Sequence, residues 1–353
     1  MLEKERFTKM TKAKATDFDW PNIGFNYHDL PYSFHAEFKD GHWDEGHLTE
    51  DSTITMSEAA NVLHYGQEAF EGLKAYRRKD GGVNLFRPDM NAKRMHKSAE
   101  RLLMEPFPED RFVQAVKEVV KANQDFVPPY GSGATLYVRP FLIGTGEVIG
   151  VHPANQFQFH ILVTPVGPYY KGGMQPTAYV TSPYDRAAHG GTGQSKVSGN
   201  YASSLLPGSI AHEEGFSDVV YLDPRLHENI EELGGANFFG ITKDGKFKTP
   251  KSPSILPSIT KKSLLKLASD FGMEPEETTI SIYDLDQFSE AGAMGTAAVI
   301  SPVGSITHNG NKHVFYSETK VGPYTQKLYD RLSGIQDGDI KGPDGWQVDV
   351  PLN

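Results

Sequence analysis

The chain has 353 residues, 38% of them hydrophobic, and carries 35 basic against 45 acidic side chains, a formal charge of −10. That length exceeds one growing core and predicts two domains, while the acidic balance argues against broad nucleic-acid binding. With no cysteine, disulfides, thiolate nucleophiles and cysteine-ligated metals are excluded.

The first 18 residues are charged and lack an apolar h-region, so no secretory signal is read, and no later run reaches the roughly 18 apolar residues of a membrane span. A soluble cytoplasmic protein without nucleic-acid or membrane partners is the expectation. Residues 1 to about 50 are polar, aromatic and histidine-bearing with few periodic runs, and are expected to wrap a domain surface or a subunit partner. Residues 59–72 read as a helical face, after which 73–76 meet the turn-like KDGG at 79–82, and 83–86 read as a short strand ending in Arg87. Pro88 suits the first turn of a helix. Met90, Met95, Ala99 and Leu102 then recur at helical spacing, as do Phe112, Val116, Val119 and Val120; both stripes are core packing.

Residues 134–143 and 157–163 read as strands, and the glycine and proline density over 164–176 marks a connection between domains. The expected division is a smaller N-terminal domain at 1–168, a loop at 169–178 and a larger C-terminal domain at 179–353. The second domain opens with a strand at 177–181, then a helix from near Asn200 to before Gly215, and strands at 219–222 and 237–241. A turn at Asp244 and Gly245, an amphipathic helix at 261–271 and a short buried run at 297–300 follow. Mixed helices and hairpins predict two α+β domains rather than one doubly wound sheet.

Chemistry concentrates in GGTGQSKVSGNYASSL (190–205), where Lys196 stands among small residues with Tyr201 five positions on. A lysine in so open a segment can be reached by a flat ligand, and its amine forms Schiff bases with aldehydes; the same residues also suit a solvated loop. Tyr201 could meet a phenolic oxygen. Arg87 could bind phosphate through its planar donor fork. GAMGTAA (292–298) could add the Thr296 hydroxyl and backbone donors to a phosphate or carboxylate. In NIEELGGANFF (229–239), Glu231 and Glu232 precede two glycines. A carboxylate beside a pyridine nitrogen keeps it protonated and makes the ring a better electron sink. Each element alone also reads as an ordinary surface group. No HExxH, GxSxG or nucleotide-binding glycine fingerprint occurs, and no metal is expected.

Together with Lys196, Tyr201, Glu232 and Thr296, seven segments in order closely resemble branched-chain amino acid aminotransferases, pyridoxal-phosphate enzymes of fold type IV. They are HYGQEAFEGLKAYR (64–77), LFRPDMNAKRM (85–95), LYVRPFLIGTGE (136–147), KVSGNYASSL (196–205), EELGGANFF (231–239), ILPSITKKSLL (255–265) and GTAAVISPV (295–303). The resemblance covers about residues 25 to 330. It implies a two-domain α+β fold with pyridoxal 5'-phosphate at the domain interface. It also implies a homodimer in which the small domain of one subunit helps close the other's pocket.

Carried position by position, the resemblance makes Lys196 the Schiff-base lysine and proton shuttle, and sets Tyr201 at the cofactor's phenolic oxygen and Glu232 at its pyridine nitrogen. Arg87 and Thr296, with the backbone N–H groups of Ile259 and Thr260, would hold phosphate. Tyr65, Phe70, Tyr137 and Arg139 become substrate-pocket residues, and the Ala297 and Ala298 backbones donors to the substrate carboxylate. The implied reaction is reversible, ping-pong amino transfer from L-leucine, L-isoleucine or L-valine to 2-oxoglutarate, giving L-glutamate. D-amino acid aminotransferases and aminodeoxychorismate lyases share the fold and are the nearest alternatives; a non-catalytic interaction protein is a remoter one. Arg139 at the edge of an apolar pocket would serve the distal carboxylate of glutamate. The chain departs from the pattern twice. Gly235 stands where related enzymes often have threonine, and Ala298 and Ser301 where some animal relatives have paired cysteines, which excludes a thiol switch there.

Overall fold

Two nine-stranded sheets form in the computed structural model, which describes residues 12–167 and 173–352. The first runs Gln347–Val350, Val83–Phe86, Leu73–Arg77, Thr135–Gly144, Phe157–Val166, Ser33–Lys39 and His42–Trp43. His47–Thr49 and Glu68–Phe70 pair alongside, and every pairing is antiparallel. Side chains alternate across a strand, so Phe34, Leu136, Val138, Phe159 and Ile161 all reach one face. There they meet Met95, Ala99, Phe112, Val116 and Val119 from the helices Pro88–Arg101 and Glu109–Ala122. Each of these side chains larger than alanine contributes about 1.5–3 kcal/mol on burial.

The second sheet mixes parallel and antiparallel pairs in the order Ile230–Leu233, Asp218–Leu222, Thr177–Thr181, Val299–His308, Phe288–Gly295, Ala236–Thr242, Phe247–Pro250 and Pro275–Thr278. Ile230–Leu233 also pairs with Ala236–Thr242, so six of these strands close on themselves as a small barrel, which removes two open edges. Phe239, Ile241 and Ile300 pack against Leu264 and Leu267 of the helix Ile259–Asp270 and Leu328, Leu332 and Ile335 of the helix Pro323–Asp337. Tyr76 and Phe86 of the first sheet join that same cluster, so the two sheets meet through apolar packing.

Most expected elements form, with instructive exceptions. The 59–72 run is not one helix: Asn61–Tyr65 ends at Gly66, whose φ of 60° closes the turn, and Glu68–Phe70 continues as a strand. The 200–214 run breaks into Ser198–Ala202 and Leu205–Glu213, because the Ser203 and Ser204 hydroxyls donate to the Asn200 and Tyr201 carbonyls. Residues 33–39 are a strand paired on both sides within the first sheet rather than surface wrapping. Gln347–Val350 returns to the first sheet beside Val83–Phe86, which corrects a second domain running unbroken from 179 to 353. Of the expected loop at 169–178, residues 169–172 lie outside the described residues.

Candidate active site

A cavity of about 390 Å³ lies between the two sheets. Lys196 reaches it from the segment before helix Ser198–Ala202, and its backbone is pinned to the first domain. Its N–H donates to Ser98 Oγ at 2.9 Å, and its carbonyl accepts from Phe70 N at 3.0 Å. The Lys196 Nζ donates to Tyr201 Oη at 2.6 Å and lies 4.5 Å from the Phe70 ring centroid. Burial lowers its pKa to about 7, helped by the Arg94 and Arg139 cations and opposed by Glu71 and Glu232. Burial, with Glu232 nearby, pushes the Tyr201 phenol above its ordinary value. A neutral amine held against a phenol hydroxyl is a poised nucleophile.

The two adjacent glutamates of strand Ile230–Leu233 point to opposite faces. Glu231 turns away and accepts from Ser252 Oγ at 2.5 Å. Glu232 lines the cavity; its Oε1 accepts from Asn237 Nδ2 at 2.8 Å and from Leu256 N at 2.7 Å, and its Oε2 lies 2.5 Å from Arg186 Nε. Burial raises the Glu232 pKa, while Arg186 and the Leu256 N–H favour its charged form. Arg186 is itself anchored to the Gly193 and Ser254 carbonyls at 3.0 and 2.5 Å.

Arg87 is not among the residues that line this cavity. Its Nη1 donates to Ser263 Oγ at 2.8 Å, and its guanidinium lies 4.6 Å from the Trp346 ring centroid. It caps the helix Pro88–Arg101 in a left-handed conformation, φ 48°. That geometry turns the side chain toward the second domain's helix. Two turns along, Arg94 does line the cavity, with Arg139, Arg186 and Lys196. Its Nε and Nη2 form a paired contact with the fully buried Glu71 at 2.7 and 2.8 Å, and Asn91 Nδ2 donates to the same carboxylate at 2.7 Å. Sequence reading passed over Arg94, although Asn91, Arg94 and Ser98 share one helical face at i, i+3, i+7 spacing. Arg186 leaves no comparable signal; only the folding of its loop brings it to Glu232.

Arg94 Nη1 lies 3.3 Å from the Pro257 carbonyl, just before helix Ile259–Asp270. Ser258 caps that helix through Lys261 N and lines the cavity. Ile259 and Thr260 are its first two residues, where backbone N–H groups lack intrahelical partners and favour an anion. Thr296 and Ala297 also line the cavity, whereas Ala298 faces a second cavity behind them.

Phe70, Tyr137 and Arg139 form the wall on the first sheet. Arg139 Nη2 donates to Tyr137 Oη at 3.0 Å, its guanidinium lies 4.9 Å from the Phe70 ring centroid, and its buried Nε has no partner. A Cβ on Gly72 would stand 2.1 Å from Tyr137 Oη, so only glycine lets this wall close. Tyr65 is not in this cavity. It is 41% exposed and donates to the Ile149 carbonyl, near exposed Leu63, Ile149 and Val151.

These groups fit pyridoxal 5'-phosphate. Anion donors stand at Arg94, the helix start and Thr296; an amine is available for the aldehyde, a phenol for the ring oxygen, and a carboxylate for the ring nitrogen. No group of three or more metal-ligand side chains occurs among the described residues.

The amino-transferase class IV family profile matches residues 68–306. The chain is 61% identical to the branched-chain-amino-acid aminotransferase of Haemophilus influenzae, over 95% of this chain and 99% of that one. It is 49% identical to the Helicobacter pylori protein of the same name, over 95% and 98%. Among solved structures, the Escherichia coli branched-chain amino acid aminotransferase superposes with a TM-score of 0.76 at 27% identity, covering 91% of this chain and 99% of that one. The T.th. branched-chain amino acid aminotransferase with pyridoxamine 5'-phosphate does so with a TM-score of 0.76 at 26% identity, over 90% and 98%. These relatives carry the branched-chain name, not that of a D-amino acid aminotransferase or a lyase. The cavity chemistry and this likeness along nearly the whole chain agree: the protein belongs to the branched-chain-amino-acid aminotransferases, pyridoxal-phosphate enzymes of the class IV aminotransferase family.

Proposed function

We propose that the chain moves the amino group of L-leucine, L-isoleucine or L-valine to 2-oxoglutarate, yielding the branched 2-oxo acid and L-glutamate. The observation that carries this reading is the Lys196 amine, 2.6 Å from Tyr201 Oη, in one cavity with Glu232. Bound pyridoxal phosphate supplies a carbonyl for the substrate amine and a ring that accepts the electrons left at the substrate Cα.

Lys196 would bind the cofactor through its aldehyde group and, as the base beside it, would move the proton of the substrate Cα. Its lowered pKa leaves enough neutral amine at pH 7 for both tasks. Glu232, held charged by Arg186, keeps the pyridine nitrogen protonated. Arg94, the N–H groups of Ile259 and Thr260, and the Thr296 hydroxyl fix the phosphate; Arg94 takes the role the sequence reading gave to Arg87. The substrate carboxylate docks on the 296–298 turn and Tyr137. Phe70 and Tyr137 give aliphatic side chains an apolar wall, and the free Arg139 Nε serves the distal carboxylate of glutamate.

Tyr65 joins a pocket only across a subunit boundary. The exposed cluster Leu63, Tyr65, Ile149 and Val151 is the kind of apolar patch that an oligomer covers, which supports a homodimer. No described helix is long and apolar enough to cross a membrane, in keeping with a cytoplasmic enzyme. The reaction is tested by incubating the loaded protein with L-leucine and 2-oxoglutarate and assaying 4-methyl-2-oxopentanoate and L-glutamate. Equal molar yields are expected, and absence of both products contradicts the assignment.

A further inference from the structure

The turn at residues 296–298 is a thin wall. Ala297 lines the active-site cavity on one side and a second cavity of about 330 Å³ on the other, so no continuous packed layer backs it. The turn leads directly into Val299, whose φ of 64° is a left-handed conformation costly for a β-branched residue. Such strain persists only where the surroundings hold it. Val299 itself is held by its pairing with Gly295 and by its apolar cluster; the turn before it is held by Lys74, on strand Leu73–Arg77 of the first sheet, which donates from Nζ to the Ala297 carbonyl at 2.6 Å. Among the described residues no other side chain hydrogen-bonds to 296–298. Lys74 is only 7% exposed, and a charge so buried needs a partner. Asp337, on the far cavity's wall, favours the charged form, against a burial effect that lowers the Lys74 pKa to about 8.

We propose that Lys74 is a positioning residue for the substrate carboxylate. By fixing the Ala297 carbonyl from across the domain interface, it aims the N–H groups of the 296–298 turn into the active site. The inference rests on the reading of that turn as the carboxylate site. Lys74 meets neither substrate nor cofactor; it acts through the peptide it holds, and it ties the arrangement of the two domains to the shape of that turn.

The test compares pyridoxal-phosphate-loaded wild type with Lys74→Met and Lys74→Arg. Two probes are used: the dissociation constant of 4-methylvalerate, and half-reaction rates with L-leucine and with 3-methylbutylamine, which has the same side chain but no carboxylate. Lys74→Met is expected to weaken 4-methylvalerate binding and slow the leucine half-reaction by about tenfold or more. The 3-methylbutylamine rate should be unchanged, and Lys74→Arg should restore most of the loss. Equal loss with leucine and 3-methylbutylamine, or wild-type carboxylate affinity in Lys74→Met, overturns the role. Should Lys74→Met not fold, Lys74→Gln is held to the same comparison. A wild type that neither binds 4-methylvalerate nor reacts with L-leucine sinks the reading of the site itself; a competent wild type matched by Lys74→Met sinks only the role of Lys74.

Discussion

Lys196 Nζ donates to Tyr201 Oη across 2.6 Å, and burial brings that amine down to about 7. Only the neutral amine attacks an aldehyde. Uptake of pyridoxal phosphate by cofactor-free protein should therefore rise with pH through about 7, well below the ordinary lysine value of 10.5. Linkage gives the sign for stability. Between about pH 7 and 10.5 the unfolded chain binds this proton and the folded chain does not, so Lys196 makes the cofactor-free fold more stable as pH rises across that window. Below it the burial cost is present in full. Stopped-flow uptake rates across pH check the first point; an inflection near 10 contradicts it.

Arg94 and Arg87 separate cleanly. Arg94→Met removes the cavity cation nearest the start of helix Ile259–Asp270, and losing a charged hydrogen bond of about 1.5–3 kcal/mol raises the cofactor dissociation constant about ten- to a hundredfold. Arg87 bonds Ser263 and stacks on Trp346 outside the cavity lining, so Arg87→Met should leave cofactor affinity unchanged and show its effect in the melting temperature. Equilibrium dialysis on the two variants decides between them. Glu71→Ala would leave the buried Arg94 without its ion partner, at about 3–5 kcal/mol of stability measured by denaturant unfolding.

Glu232→Gln keeps the shape of the site and removes its charge. Cofactor should still bind, because its phosphate donors are elsewhere, but kcat should fall by on the order of 10²-fold. The loss belongs to Cα-proton transfer, so a primary deuterium isotope effect with 2-²H-leucine should increase. Unchanged turnover would remove Glu232 from the proposed role.

The substrate wall gives a paired expectation. Arg139→Met should raise KM for 2-oxoglutarate by about tenfold or more while changing that for L-leucine little. Across the cavity, Gly235 has open space: a Cβ there meets no heavy atom within 4 Å, whereas one on Gly234 would stand 1.8 Å from Asp218 Oδ2. Gly235→Thr should fold normally, narrow the pocket and lower kcat/KM for leucine relative to valine by about tenfold. Steady-state kinetics with 2-oxoglutarate, L-leucine and L-valine reads both variants.

The parts of this site legible in the sequence are those whose neighbours in space are near in the chain. Lys196 and Tyr201 lie five residues apart around one short helix, and Thr296 and Ala297 occupy one turn. Glu232 could be separated from Glu231 only by resemblance until strand pairing fixed which face each occupies. Arg87 reads as a phosphate donor because it ends a strand, yet it lies outside the cavity lining, whereas Arg94, which does line it, is hidden within a helical pattern and stands out only by its contact with Glu71. Tyr65 shares a conspicuous segment with Phe70, yet Gly66 turns the chain so that only Phe70 faces the cavity. Strand Ser33–Lys39 carries the alternation Phe34, Ala36 and Phe38 beneath polar neighbours, and Gln347–Val350 is an edge strand whose partner lies some 260 residues earlier. Neither pairing has a local signature.

The most direct measurement follows the absorbance of pyridoxal-phosphate-loaded protein on addition of L-leucine, with Lys196→Ala in parallel. In the wild type, the band of lysine-bound cofactor should vanish as pyridoxamine phosphate forms and return when 2-oxoglutarate is added, while the variant should show no such cycle. A wild-type spectrum indifferent to L-leucine, or a variant that cycles at the normal rate, would contradict Lys196 as the residue that moves the substrate's proton.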